Sequence, residues 1–103
     1  MTDPHVDGSI LASSACIPTH VVYRAFAHET VLLNLDAGRY HGINAVGARI
    51  LQALERTPTV GEAAARLADE FDRPREEIER DICEFCRDLQ ERGLIELSRS
   101  AER

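Results

Sequence analysis

Three cysteines and four histidines are the side chains best suited to chemistry in this 103-residue chain. Cys83 and Cys86 form a C-x-x-C, the spacing of thiol–disulfide exchange and of half a zinc site. A redox C-x-x-C opens a helix, where the N-terminal dipole lowers a thiol pKa. This pair instead falls in the middle of an expected helix. A zinc site needs two further ligands, and Cys16, His20, His28 and His41 are scattered without a ligand pattern. A cysteine nucleophile needs a base and an orienting group within hydrogen-bond reach, and no nucleophile motif is present. The residues therefore predict Cys86 packed as a small apolar side chain and Cys83 partly exposed. They predict no catalysis, no metal and no cofactor.

Composition narrows the remaining classes. The net charge is −6, and all twelve basic residues are arginine. That balance opposes general nucleic-acid affinity, because neutralisation of phosphates supplies most of it. Tyr23, Phe26, Tyr40, Phe71 and Phe85 are the whole aromatic set, and they form no base-stacking platform. No apolar run approaches the ~20 residues of a membrane span. The first sixteen residues lack a basic n-region and a sustained apolar run, so no signal peptide is expected. An odd cysteine count argues against a disulfide framework. The expectation is a cytoplasmic protein with no membrane and no nucleic-acid partner.

The elements that must position any site are legible around residues 31–54, VLLNLDAGRYHGINAVGARILQAL. Residues 20–26 and 29–35 are short runs rich in strand formers, and Arg39–Ile43 is a third. Asp36, Ala37 and Gly38 make the turn before it, with Gly38 free to adopt positive φ. Asn44 caps a helix over Ala45–Arg56, whose Val46, Ile50, Leu51 and Leu54 share a face. Thr59 and Glu62 fit a capping box for a second helix with Ala63, Ala64, Leu67, Ala68 and Phe71 inward. A third helix starts near Pro74, ends before Gly93 and buries Ile78, Ile82, Phe85 and Leu89. Residues 94–97 are a short extended segment. Residues 1–19 are expected to be a flexible tail and 98–103 a frayed end, with the folded domain at 20–97. The fold class is α+β, a winged helix-turn-helix-like domain in which a three-stranded antiparallel sheet is followed by three helices.

Two features of this layout bear on binding. The third strand, Arg39–Ile43, can present a free edge, and a free edge accepts a peptide as an added strand. Tyr40 alternates with Arg39 and His41 and is expected in the core, with His41 on the surface or at a peptide-binding edge. The third helix carries seven acids against four arginines, a net of −3. A recognition helix entering a DNA groove needs the opposite sign. Glu77, Asp81, Glu84 and Asp88 flank its apolar stripe, which suits a partner with apolar and basic side chains.

The segments LDAGRYHGIN, NAVGARIL, TVGEAAARLADEF and DICEFCRDLQERGLIEL resemble the PqqD-like family of leader-peptide recognition domains, also called RiPP recognition elements. The likeness spans about residues 20–97. It rests on the junction Gly38, Tyr40, Ile43, Asn44 and on the end Asp81, Ile82, Phe85, Leu89, Gly93, Leu94, Ile95. The resemblance implies a non-catalytic adaptor for the leader segment of a ribosomally made precursor peptide. It implies that the leader docks antiparallel on Arg39, Tyr40, His41, Gly42 and Ile43. The same docking lies beside Glu77, Ile78, Asp81, Ile82, Glu84, Phe85 and Asp88. A separate cysteine leader peptidase or other modifying enzyme would then act on the tethered precursor. The GRYHGIN turn is most similar to that of stand-alone recognition proteins of lasso-peptide biosynthesis. A peptide chaperone of pyrroloquinoline quinone biosynthesis and a winged-helix DNA-binding domain are the alternatives. The C-x-x-C is not part of the family pattern.

Overall fold

Asn44 ends a strand and starts a helix within one residue, because its Oδ1 accepts from Gly47 N at 2.8 Å. The computed structural model describes residues 6–99. Along them run α1 (Gly8–Leu11), β1 (Ser13–Cys16), β2 (Val21–Ala25), β3 (Thr30–Asn34), β4 (Arg39–Ile43), α2 (Ala45–Arg56), α3 (Val60–Phe71), α4 (Arg75–Glu91) and β5 (Glu96–Arg99). The architecture is α+β: an antiparallel sheet β2-β3-β4 followed by three helices, with β1 and β5 paired as a second, two-stranded sheet. The expected third strand and third helix are β4 and α4.

The hairpin joining β3 to β4 is organised by Asn34. Its Oδ1 accepts from Asp36 N and Ala37 N, both at 3.1 Å, and Gly38 closes the turn at φ 67°. Register then pairs Leu32 with His41 and Tyr23 on the inner face, and Leu33 with Tyr40 and Val22 on the outer face. Tyr23 Oη donates to Glu55 Oε1 at 2.5 Å and so fastens β2 to α2.

The helices begin and end as their caps require. Thr59 Oγ1 accepts from Glu62 N at 3.1 Å to open α3. Pro74 is the residue before α4, and Gly93, at φ 73°, lets Leu94 N turn back to Leu89 O at 2.8 Å. The core gathers Leu32, Leu51, Leu67, Ile82 and Leu89 between sheet and helices. The small side chains Ala63 and Ala64 let α3 sit close to its neighbours.

Three expectations are corrected here. Residues 1–19 are not a structureless tail over their described part: Asp7 caps α1 through a 2.9 Å bond from Ser9 N, and Ile10 is buried. β1 pairs with β5 from Ser13↔Arg99 to Cys16↔Glu96, so Ser98 and Arg99 are laddered rather than frayed. The partner strand lies some eighty residues away, and a non-local pairing leaves no local pattern in S-S-A-C. The rest of those two segments, residues 1–5 and 100–103, lies outside the described residues. Cys83 is fully buried rather than partly exposed, because α1 and its cap cover that face of α4, with Cys83 Sγ 3.8 Å from Asp7 O.

Candidate functional site

β4 is an outer strand of its sheet, and among the described residues no strand pairs with its far edge. The C-terminal strand, which could have filled that place, pairs with β1 instead. A row of backbone donors and acceptors therefore remains open along Arg39–Ile43. The other outer strand, β2, likewise has no strand on its far edge among the described residues, but none of the hollows described next is lined by its residues.

A trench runs alongside β4, with α4 as its far wall and α2 as its floor and end. Its central part, about 350 Å³, is lined by His41, Ile43, Val46, Ile50, Asp81, Phe85 and Asp88 among others. Beyond Ile43 it continues through Val46 and Ile50 into an apolar hollow of about 330 Å³. Leu67, Phe71, Ile78 and Ile82 close that hollow. In the other direction it passes His41 into a polar hollow of about 410 Å³ with Asn34, Arg39, Tyr40, Glu91 and Arg92.

Most residues expected at the site come together here. Ile43 and Ile78 are buried and Ile82 is fully so, giving the trench a fixed apolar base. Phe85 is half-buried because its ring lies in the wall rather than in the core. Asp81 and Asp88 stand on the exposed rim. Asp88 accepts from Arg92 Nε at 3.0 Å, while Asp81 lies 3.9 Å from Arg80. Glu77 is ion-paired with Arg73, itself a lining residue of the apolar hollow, and Glu84 is exposed; neither acid lines these three hollows.

Tyr40 is a further correction. It is 77% exposed and does not enter the core. Ile43 is the buried anchor of β4, and strand parity places His41 and Arg39 on its side and Tyr40 on the other. Reading parity backwards from Ile43 places Tyr40 outside. Sequence reasoning also missed the contribution of α2. Val46, 57% exposed, and Ile50 stand one turn apart on the α2 face that lines the trench, offset from the buried Leu51 and Leu54. Gly47 lies between them, and a methyl group there would stand 3.3 Å from both Ile43 Cβ and Phe85 Cε1.

The thiols take no part in the trench. Burial pushes the Cys83 thiol above its ordinary pKa and that of Cys86 up to about 12, so both are protonated at neutral pH. A protonated buried thiol is a poor nucleophile. Among the described residues no three His, Cys, Asp or Glu side chains gather to hold a metal. No described helix is long and apolar enough to cross a membrane.

Comparison with known proteins places this geometry. The family described as coenzyme PQQ synthesis protein D (PqqD) matches residues 29–95. A search of curated proteins gave no significant match. Among solved structures, TbiB1 in complex with the TbiA(beta) leader peptide is similar at 36% identity and a TM-score of 0.71. That alignment covers 78% of this chain and 93% of the other. A lasso peptide synthetase B1 complexed with the leader peptide is similar at 25% identity and a TM-score of 0.74. There the cover is 81% of this chain and 98% of that one.

Proposed function

The chain belongs to the PqqD family, and from that membership we propose that it is a non-catalytic adaptor that binds the leader of a ribosomally made precursor peptide. The leader adds as an antiparallel strand on β4 and drops alternate side chains into the trench. The open β4 edge beside a ready-formed trench is the observation that carries this reading. Main-chain bonds give affinity, and the trench gives selectivity.

The energetics suit such a site. A leader that is disordered when free is ordered on binding, at a cost of roughly 2–5 kcal/mol. Five strand residues alone offset this poorly, so apolar side chains on the leader must also be buried between Val46, Ile50 and Phe85. Once bound, the leader holds its precursor at a high local concentration for a separate enzyme. The leader-bound neighbour named a lasso peptide synthetase B1 supports lasso-peptide biosynthesis as the setting; the enzyme served would then be a separate cysteine leader peptidase. The family description alone would equally suit a pyrroloquinoline quinone pathway.

The test is a titration of a fluorescent synthetic leader segment of a candidate precursor peptide. Saturable binding is expected. N-methylation of single leader residues should abolish it at alternate positions only, since alternate amides face β4. Indifference to N-methylation at every position contradicts strand addition without touching the protein's own fold.

A further inference from the structure

Adding a strand leaves direction and register to be chosen, and a slip of one residue turns every side chain to the other face. The charges that flank β4 differ at its two ends. Arg39 begins the strand, shares the trench face with His41 and Ile43, and lines the polar hollow. Its guanidinium has no ion pair or hydrogen bond among the described residues, whereas its neighbour Arg92 is held by Asp88.

Three residues later the outer face of β4 carries no side chain, because the residue is Gly42. Glu29 occupies that space: a methyl group on Gly42 would lie 2.8 Å from Glu29 Oε1. This carboxylate is exposed and also lacks a partner among the described residues. One positive charge without an ion pair among the described residues thus marks the start of β4 on the trench side, with Glu91 across the same hollow. One uncompensated negative charge marks its end on the outer side.

Resting on the strand-addition reading above, we propose that Arg39 and Glu29 are specificity-determining residues that set the direction and register of the bound leader. They select a basic side chain opposite Gly42 and an acidic one three residues nearer the leader's C-terminus, opposite Arg39. The geometry is self-consistent. Residues three apart on a strand lie roughly 10 Å from each other and point to opposite faces, as Arg39 and Glu29 do. A parallel leader, or one slipped by two residues, loses both pairs and cannot recover them elsewhere on β4.

The experiment is selection of a displayed library of random twelve-residue peptides on the full chain. Enriched peptides are expected to share a Lys or Arg followed three residues later by Asp or Glu. Exchanging those two residues in a synthetic enriched peptide should weaken binding by about fivefold or more, the scale of exposed ion pairs. The double variant Glu29→Arg with Arg39→Glu should prefer the exchanged peptide, and both sites are exposed, so its unfolding midpoint should match the parent. Enriched peptides that are sensitive to alternate N-methylation but indifferent to the exchange overturn the charge assignment and leave strand addition standing. Failure to enrich any peptide, or enrichment of peptides indifferent to N-methylation, overturns both.

Discussion

Gly47 of α2 and Phe85 of α4 meet with no room to spare, a methyl group on the glycine falling 3.3 Å from the ring's Cε1. This contact sets the depth of the trench, because the absent side chain lets the ring lie against the helix instead of standing up between the walls. Two terms oppose each other in Gly47→Ala. Alanine is better in a helix interior by about 1 kcal/mol, and overpacking costs about 1–3 kcal/mol when nothing yields. Phe85 is half-buried at the trench and can yield, whereas Ile43 Cβ, also 3.3 Å away, belongs to the buried base and yields less. Gly47→Ala should therefore destabilise by about 1 kcal/mol, read from the denaturant midpoint, while leader affinity falls. A loss of stability with affinity intact would show that the ring does not move.

Tyr40 gives a contrasting case. It stands on the outer face of β4 with Leu33 as its cross-strand neighbour. Tyr40→Ser should shift stability by about 0.5 kcal/mol or a little more, the scale of a surface cross-strand pair. A loss of several kcal/mol in thermal unfolding would mean that the ring is buried after all.

The cap at Thr59 isolates a local contribution. Thr59→Ala removes the acceptor for Glu62 N and should cost about 1 kcal/mol in chemical denaturation. Leader binding should be unaffected, since α3 touches the trench only through Leu67 and Phe71. A change in binding beyond that expected from stability would implicate α3 more directly.

Alkaline pH should destabilise the fold through Cys86. Its folded pKa is raised from an ordinary thiol value near 9 to about 12, by burial first and by the neighbouring Cys83 second. Below pH 9 the thiol is protonated in both states and pH has no effect through it. Between about 9 and 12 the unfolded chain ionises while the native one does not, so stability falls as pH rises. The limiting slope is about 1.4 kcal/mol per pH unit for one thiol. Unfolding midpoints measured from pH 8 to 10.5 should drop more steeply for the parent than for Cys86→Ala, which begins lower because of its cavity. Parallel curves would contradict the assignment.

Local signals made much of the fold legible. Asn44, Thr59, Pro74 and Gly93 act on near neighbours, so the starts of α2, α3 and α4 and the end of α4 are legible in the residues beside them, whereas α1 with its Asp7 cap is not. β4 was bounded by Gly38 and Asn44 for the same reason. The β1–β5 pairing was not legible, because its two halves meet only in the folded chain and Ser13–Cys16 shows no alternation. At the site, residues on α4 and β4 were accessible from motif and periodicity. Val46, Gly47 and Ile50 were not assigned to it, since an apolar face on a helix does not say whether core or groove lies opposite. Aromatic size favours burial of Tyr40, but the parity that buried Ile43 imposes on β4 places it outside.

Amide hydrogen exchange by NMR on the full chain, with and without the leader peptide, tests the central claim most directly. Alternate amides within Arg39–Ile43 should exchange freely in the unbound protein and become protected on binding, while those of Val21–Ala25 stay unchanged. Peptide binding that leaves the β4 amides as they were, or that protects the β2 edge instead, would contradict the account.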